Sequence, residues 1–400
     1  MTLPTDSYVP LPAVAKASPL LLWVVGASIA ILVTNLYFAQ SLITMIAADL
    51  GIKPSFAGTV VSASQFGYGF GLFLLVPLSD KVENRRLVLI CGLLVLLGTF
   101  GLATATSATV FLCCAFVTGV FSSAAQVLVP YLSHVLPAGR KGRGLGVVMA
   151  GVLATVMLAR PYSLFVASEF GWRGIYILSA CGTFVMGALL WAIMPERRPE
   201  NGMSYLNTIT SMFVLFTAEH RVYRRAIYQA LLFSAYTMFW ATVPIMLTDY
   251  FGFSQTDIAV FAMVGIGGVI AALFTGRWAD HGSIRAGTLV VSLLLALAFI
   301  GSAWALHSLM LLALVVSAIL IDGSVQAAQT FSRLVVLETA PEYRGRVNAL
   351  YMTIIYTAGA LGSIIGVSVY VAFGWIGVAL SGAALALVVV VDVVAQPSRE

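Results

Sequence analysis

Four polar side chains interrupt one apolar stretch near the C-terminus: Asp322, Gln326, Gln329 and Arg333. Their spacing of 4, 7 and 11 residues returns them to one face of an α-helix. The apolar run covers about 309–337, so Asp322 falls near its middle. A charge at that depth in a bilayer costs ~2.5–3.5 kcal/mol even on the mildest scale, so this face must look into protein or water. An ionisable acid held there can gain and lose a proton, which is the chemistry needed to couple proton movement to other work. The competing reading is a polar seam that only pairs helices.

Arg160, followed by Pro161, sits in the outer part of another apolar run. Its head either snorkels to the interface or turns inward. Turned inward, it pairs with Asp322 or holds an anionic group. Aromatic and amide residues supply a possible wall for a small organic molecule: Asn35, Tyr37, Phe38 and Gln40; Gln65 and Tyr68; Gln126; Gln229, Tyr236 and Trp240; Tyr351 and Tyr356. Amphipathic rings with a few amides suit such a pocket. In any membrane bundle many such residues only pack or anchor helices.

A third group is charged and short. VPLSDKVENRR (Val76 to Arg86) lies between two apolar runs, and GRWADHGSIR (Gly276 to Arg285) repeats it, Asp80 falling on Asp280 and Arg85 on Arg285. Ala124-Ala125-Gln126 recurs as Ala327-Ala328-Gln329, Gly142-Arg143 as Gly345-Arg346, and Gly51 matches Gly252. The chain is a duplication of two halves in the same order, so a pseudo-twofold axis along the membrane normal is expected, with substrate between the halves near the midplane. Arg85 and Arg86 are explained by topology alone. Asp80 is not, and it reads as a latch that caps a helix and holds the facing half in one state.

The elements that carry these groups follow from composition. Charged residues make up 9% of the 400-residue chain and apolar ones 60%, against roughly 25% charge in soluble domains. Twelve runs reach the roughly 20 residues a spanning helix needs: 20–47, 56–79, 87–105, 110–134, 144–167 and 174–194, then 226–248, 257–279, 287–306, 309–337, 347–372 and 375–395. Helices are forced, because lipid satisfies no backbone polar group. The expected fold is an all-α membrane protein with twelve transmembrane helices in two pseudo-symmetric six-helix bundles, residues 1–194 and 226–400. A cytoplasmic linker, 195–225, joins them. In it Tyr205, Leu206, Ile209, Met212, Phe213 and Phe216 have the spacing of an amphipathic surface helix. With both termini inside, seventeen basic residues face the cytoplasm and two, Lys53 and Arg173, face out, as the positive-inside rule requires. The net charge of +5 therefore needs no nucleic acid. No cleavable signal is expected before the first span. Gly67 and Gly71, or Gly362 and Gly366, stand four apart and permit close helix contact.

Over its full length the chain resembles transporters of the major facilitator superfamily. VPLSDKVENRR is similar to that superfamily's signature between its second and third helices, with Val76 at the small-residue position and Glu83 where a glycine stands. NLYFAQ (Asn35 to Gln40), AAQVLVP (Ala124 to Pro130) and GWRGIY (Gly171 to Tyr176) resemble bacterial drug and sugar efflux permeases. Where the drug:proton antiporters carry an arginine in the fourth helix, this chain has Ala115. Where they carry Gly-Pro late in the fifth, it has Ala159-Arg160. The resemblance implies a gating role for Asp80, Arg85, Arg86, Asp280 and Arg285.

The expected function is secondary active export of a small organic compound by alternating access, coupled to proton entry, with drug resistance as the physiological consequence. Asp322 is the proton-coupling candidate. The substrate-binding candidates are Arg160, Asn35, Tyr37, Phe38, Gln65, Gln126, Gln229, Tyr236, Trp240, Gln326, Gln329 and Tyr356. One alternative is an importer or uniporter of a small anionic metabolite with Arg160 as anion partner. Another, of a different class, is a non-transporting receptor or scaffold. The expected setting is the plasma (bacterial inner) membrane, with protons, lipid and a small molecule as partners, as a monomer. No nucleotide-binding loop, metalloprotease motif or nucleophile elbow occurs, and His134, His220, His281 and His307 have no metal spacing. An enzyme, a metal and a cofactor are therefore not expected.

Overall fold

A computed structural model describes residues 19–136, 141–199, 204–265, 275, 283–338 and 344–395. Those residues form helices and no strand: α1 (Pro19–Ser41), α2 (Ile43–Asp49), α3 (Gly58–Ser79), α4 (Asn84–Thr104), α5 (Ala108–Ser122), α6 (Ala125–Val135), α7 (Lys141–Ile193), α8 (Tyr205–Ala218), α9 (His220–Phe251), α10 (Gln255–Ala262), α11 (Ile284–His307), α12 (Leu311–Leu337) and α13 (Arg344–Ala395). Short 3-10 turns at Pro54–Phe56 and Met263–Gly265 lead into α3 and out of α10.

Among the described residues nine helical stretches are long and apolar enough to cross a membrane. Two of them, Gly146–Ile193 and Gly345–Ala395, run for 48 and 51 residues. At 1.5 Å per residue each is about twice as long as the ~30 Å hydrocarbon core allows for one crossing. Each breaks at a glycine, Gly171 at φ 70° and Gly374 at φ 64°, a conformation that costs glycine little. Each therefore supplies two crossings. The run expected over 257–279 is described only at its start, by α10 and the turn after it. The architecture is consistent with the expected twelve.

The duplication is visible in the backbone. Gly51 and Gly252 both turn left-handed, at φ 65° and 62°. The breaks at Gly171 and Gly374 lie in matching Phe-Gly-Trp triplets, each followed by a buried tryptophan, Trp172 and Trp375. Several helices differ from the expected runs. The first is interrupted at Leu42 and the fourth at Ser123 and Ala124, splitting α5 from α6. α9 begins at His220, six residues before the run expected from 226.

Small residues set how closely the helices approach. A side-chain carbon on Gly67 would lie 2.2 Å from the Phe116 carbonyl oxygen, and one on Gly119 2.1 Å from that of Ser64, so α3 and α5 touch backbone to backbone. Gly362 does the same for α13 against α9, 2.3 Å from the Ser234 oxygen. Between the halves α3 lies along α13: Ser368 Oγ donates to the Ser55 carbonyl at 3.1 Å and Thr353 Oγ1 to that of Gly69 at 3.2 Å. α8 packs on α3, α9 and α13. Its buried face is Thr208, Met212 and Phe216, whereas Leu206 and Phe213 are exposed. The expected apolar face is thus turned by part of a helical step, and Tyr205 Oη at one end donates to the Leu74 carbonyl.

Candidate functional site

Arg160, on the first arm of α7, is 3% exposed. Its Nε and Nη2 both donate to Gln40 Oε1 at 3.3 Å, and Nη2 donates to Tyr236 Oη at 2.6 Å. The guanidinium carbon lies 4.0 Å from the ring centre of Trp240, 5.4 Å from that of Tyr236 and 5.6 Å from that of Tyr37. Three aromatic faces and an amide oxygen therefore stand in for the water this cation has lost. The snorkelling alternative is excluded by this burial.

Asp322 is fully buried on α12. Its Oδ1 accepts from Trp240 Nε1 at 2.9 Å, and its Oδ2 has no hydrogen-bond partner among the described residues. No ion pair within 4.0 Å joins Asp322 to Arg160 among the described residues. The two meet instead on Trp240, the arginine over its face and the carboxylate at its Nε1 edge. Tyr236 lies beside both charges. Gly265 closes the remaining side: a side-chain carbon there would sit 3.6 Å from Arg160 Nη1 and 3.8 Å from Asp322 Oδ2. The absence of a side chain leaves both groups room to move.

Below this centre runs an aromatic wall that crosses between the halves. Gln126 Nε2 donates to Tyr68 Oη at 3.3 Å. The Tyr68 and Tyr356 rings meet at 4.6 Å, Tyr356 and Phe233 at 5.5 Å, and Phe233 stacks on Tyr236 at 5.6 Å. Tyr37 lies beside Tyr356. Gln65 and Gln229 are buried with unpartnered amide atoms, both of them in Gln229. Gln326 and Gln329 are half-buried and Arg333 is exposed. Gly265 and Phe233 were not legible as site residues. Phe233 shares a helical face with Tyr236 three residues on, which is the one signal it carries.

Asn35 and Phe38 take a different place. Asn35 Oδ1 accepts from Ser179 Oγ at 2.6 Å, bracing α1 against the second arm of α7. Phe38 meets Tyr176 edge-on and lines a cavity of about 260 Å³ with Ala159, Tyr162 and Ser179 on the flank of the first half.

The charged turn divides in two. Glu83 caps α4 by accepting from the backbone N–H groups of Arg85 and Arg86. Arg85 Nη2 donates to the Trp191 carbonyl at 2.5 Å, and its counterpart Arg285 donates to the Val393 carbonyl at 2.9 Å. Both arginines thus tie helices within their own half. Arg86 pairs with Glu83 at 3.6 Å. Asp80 lies within the field of the other half. Burial pushes its carboxyl above the usual carboxylate range, while Arg346 of the second half, then Arg197, Lys81 and His134, pull the other way. Asp280 lies outside the described residues.

Comparison with known proteins decides the family. The model of the Major Facilitator Superfamily matches residues 22–354 and 225–397. The chain belongs to the Major Facilitator Superfamily. It is 32% identical over 374 residues to the uncharacterized transporter YgaY of Escherichia coli O157:H7, covering 93% of this chain and 94% of that one. It is 25% identical over 207 residues to the purine ribonucleoside efflux pump NepI of Salmonella enteritidis PT4 (strain P125109), covering 48% of this chain and 50% of the relative. The crystal structure of a D-xylose-proton symporter superposes with a TM-score of 0.76 at 14% identity, over 92% of this chain and 96% of the other. As a member of this superfamily the chain is a multi-pass membrane transporter of small molecules and not an enzyme.

Proposed function

We propose that this transporter exports a small organic compound in exchange for a proton, with Asp322 carrying the proton. The observation that carries the reading is the shared use of Trp240 by Arg160 and Asp322. Ionised, Asp322 accepts the indole N–H and offsets the field of Arg160. Protonated, it offers Arg160 no counter-charge. The cation then leans more strongly on Gln40, Tyr236 and the Trp240 ring, groups that cargo would otherwise contact. Proton uptake and cargo contact are thereby set against each other at one tryptophan. The efflux pump among the relatives supports export as the direction.

The remaining parts fit alternating access. Asp80 works as the latch between halves, facing Arg346, while Arg85, Arg86 and Arg285 stiffen each half so that it moves as a body. Tyr37, Tyr68, Tyr236, Trp240, Tyr356, Gln126, Gln229, Gln326 and Gln329 form the cargo wall. The basic ends of the helices, with both termini, lie in the cytoplasm, and the protein works as a monomer in the bacterial inner membrane. Drug resistance follows where the cargo is toxic.

The test is reconstitution in proteoliposomes with an imposed pH gradient. Proton flux is followed by a pH dye while a panel of small organic compounds is added. Asp322→Asn mimics the protonated state permanently. It is expected to abolish pH-driven accumulation and keep substrate exchange at equal pH. Continued accumulation by the Asn variant against a concentration gradient places the proton elsewhere.

A further inference from the structure

The centre described above holds one cation and one carboxylate, which offset each other. A second cation stands on the same face of α12. Arg333 lies eleven residues after Asp322, only about 20° away around the helix axis and roughly 16 Å nearer the basic end. It is exposed and has no ion-pair or hydrogen-bond partner among the described residues. Its position is not that of a lipid-facing arginine. Its charge acts on Tyr37 of α1, Tyr68 of α3, and Tyr351 and Tyr356 of α13, tyrosines drawn from both halves and buried between them. An exposed guanidinium on the face of α12 that carries Asp322, with tyrosines of both halves within range of its charge, fronts the space between the halves.

Among the described residues nothing pairs with Arg333. Gln326 and Gln329 lie between it and Asp322 on the same face, and a phenol such as that of Tyr351 or Tyr356 carries no charge at neutral pH. The Tyr351 hydroxyl and both amide atoms of Gln229 are buried without partners. Among the described residues the basic-end side of the centre thus presents an unpaired cation, uncharged donors and acceptors, and aromatic faces. Arg160 and Arg333, with Arg225 also acting on Tyr351, outnumber the carboxylate of Asp322 among these residues.

We infer that Arg333 is the entry-side recognition group for a cargo that carries a carboxylate or comparable monoanionic oxyanion on an aromatic or otherwise apolar body. A planar guanidinium binds such a group through two parallel hydrogen bonds, and the Tyr68–Tyr356–Phe233 rings receive the apolar part. This inference rests on the export reading for its direction, but its binding step needs no proton coupling.

The test uses matched probes on the purified full-length protein in lipid nanodiscs. Salicylate and benzoate are titrated beside their neutral amides, salicylamide and benzamide, with tryptophan fluorescence as the readout. The wild type is expected to bind the carboxylates at least about tenfold more tightly than the amides, a difference set by one charge-assisted contact. Arg333→Gln removes that preference and leaves amide binding unchanged, while Arg333→Lys keeps part of it. Unfolding temperature and elution profile check that each variant folds. No carboxylate preference in the wild type, or a preference that survives Arg333→Gln, overturns the inference. Asp322→Asn in the same titration keeps the carboxylate preference, so loss of proton coupling and loss of anion recognition are read separately.

Discussion

The side chain on which the mechanism turns is Trp240. Its ring face holds Arg160 and its N–H holds Asp322, so two opposite charges 162 positions apart in sequence answer to one indole. Trp240→Phe keeps an aromatic face for the arginine and removes the donor. A hydrogen bond to a charged group contributes about 1.5–3 kcal/mol. Losing it is expected to slow pH-driven transport by about tenfold or more, while binding of a neutral cargo to the wall changes little. Flux at fixed protein amount, set beside fluorescence titration through the remaining tryptophans, checks both halves of the expectation. Equal losses in flux and binding assign Trp240 to the cargo wall alone.

Helix by helix, the fold depends on where no side chain exists. Gly119 and Ser64 bring α5 and α3 so near that an added methyl would stand 2.1 Å from a backbone oxygen, which cannot turn aside. Gly119→Ala is expected to cost about 1–3 kcal/mol, as overpacking does elsewhere. A lower unfolding temperature in detergent is the measurement. Gly146→Ala, on the first arm of α7 with nothing within 4 Å of the new carbon, is the matched control. It is expected to be neutral or slightly stabilising, by up to about 1 kcal/mol, from helix propensity. A similar loss at both positions shows that helix approach is not what Gly119 protects.

For the molecule as a whole the question is how two bundles move against each other. Asp80 is a charged group on the first half within the field of a cation of the second, Arg346, and is the proposed latch. Asp80→Asn is expected to slow turnover several-fold and leave equilibrium binding intact. The sign with pH follows from burial, which raises the carboxyl above its usual range of about 3.9. The charged latch is made at pH above the raised value and fades as pH falls through it. The variant and wild type therefore differ most at neutral to alkaline pH and converge as the medium becomes acid. Turnover measured from about pH 5 to 8 checks this, and a constant ratio across that range removes the latch from Asp80.

Much of this was decided by the sequence before any contact was known. Lipid leaves no choice but helices, so apolar run length gives the expected spans, and the count of basic residues at run ends gives the expected sides. The duplication was legible in Asp80 and Asp280, and in the glycine pair whose shared left-handed turn the backbone confirms. Helical periodicity gives depth and face along one helix, which is why Asp322, Gln326, Gln329 and Arg333 could be put on one stripe. It says nothing of how that helix is rotated against another half of the chain. The bond from Trp240 to Asp322 spans 82 residues and that from Arg160 to Gln40 spans 120. The same limit hid the turn of Asn35 and Phe38 toward the flank, and the inward bracing of Arg85 and Arg285 within their own bundles. Those placements depend on which helices meet and at what angle, and only close packing of the tertiary structure settles that.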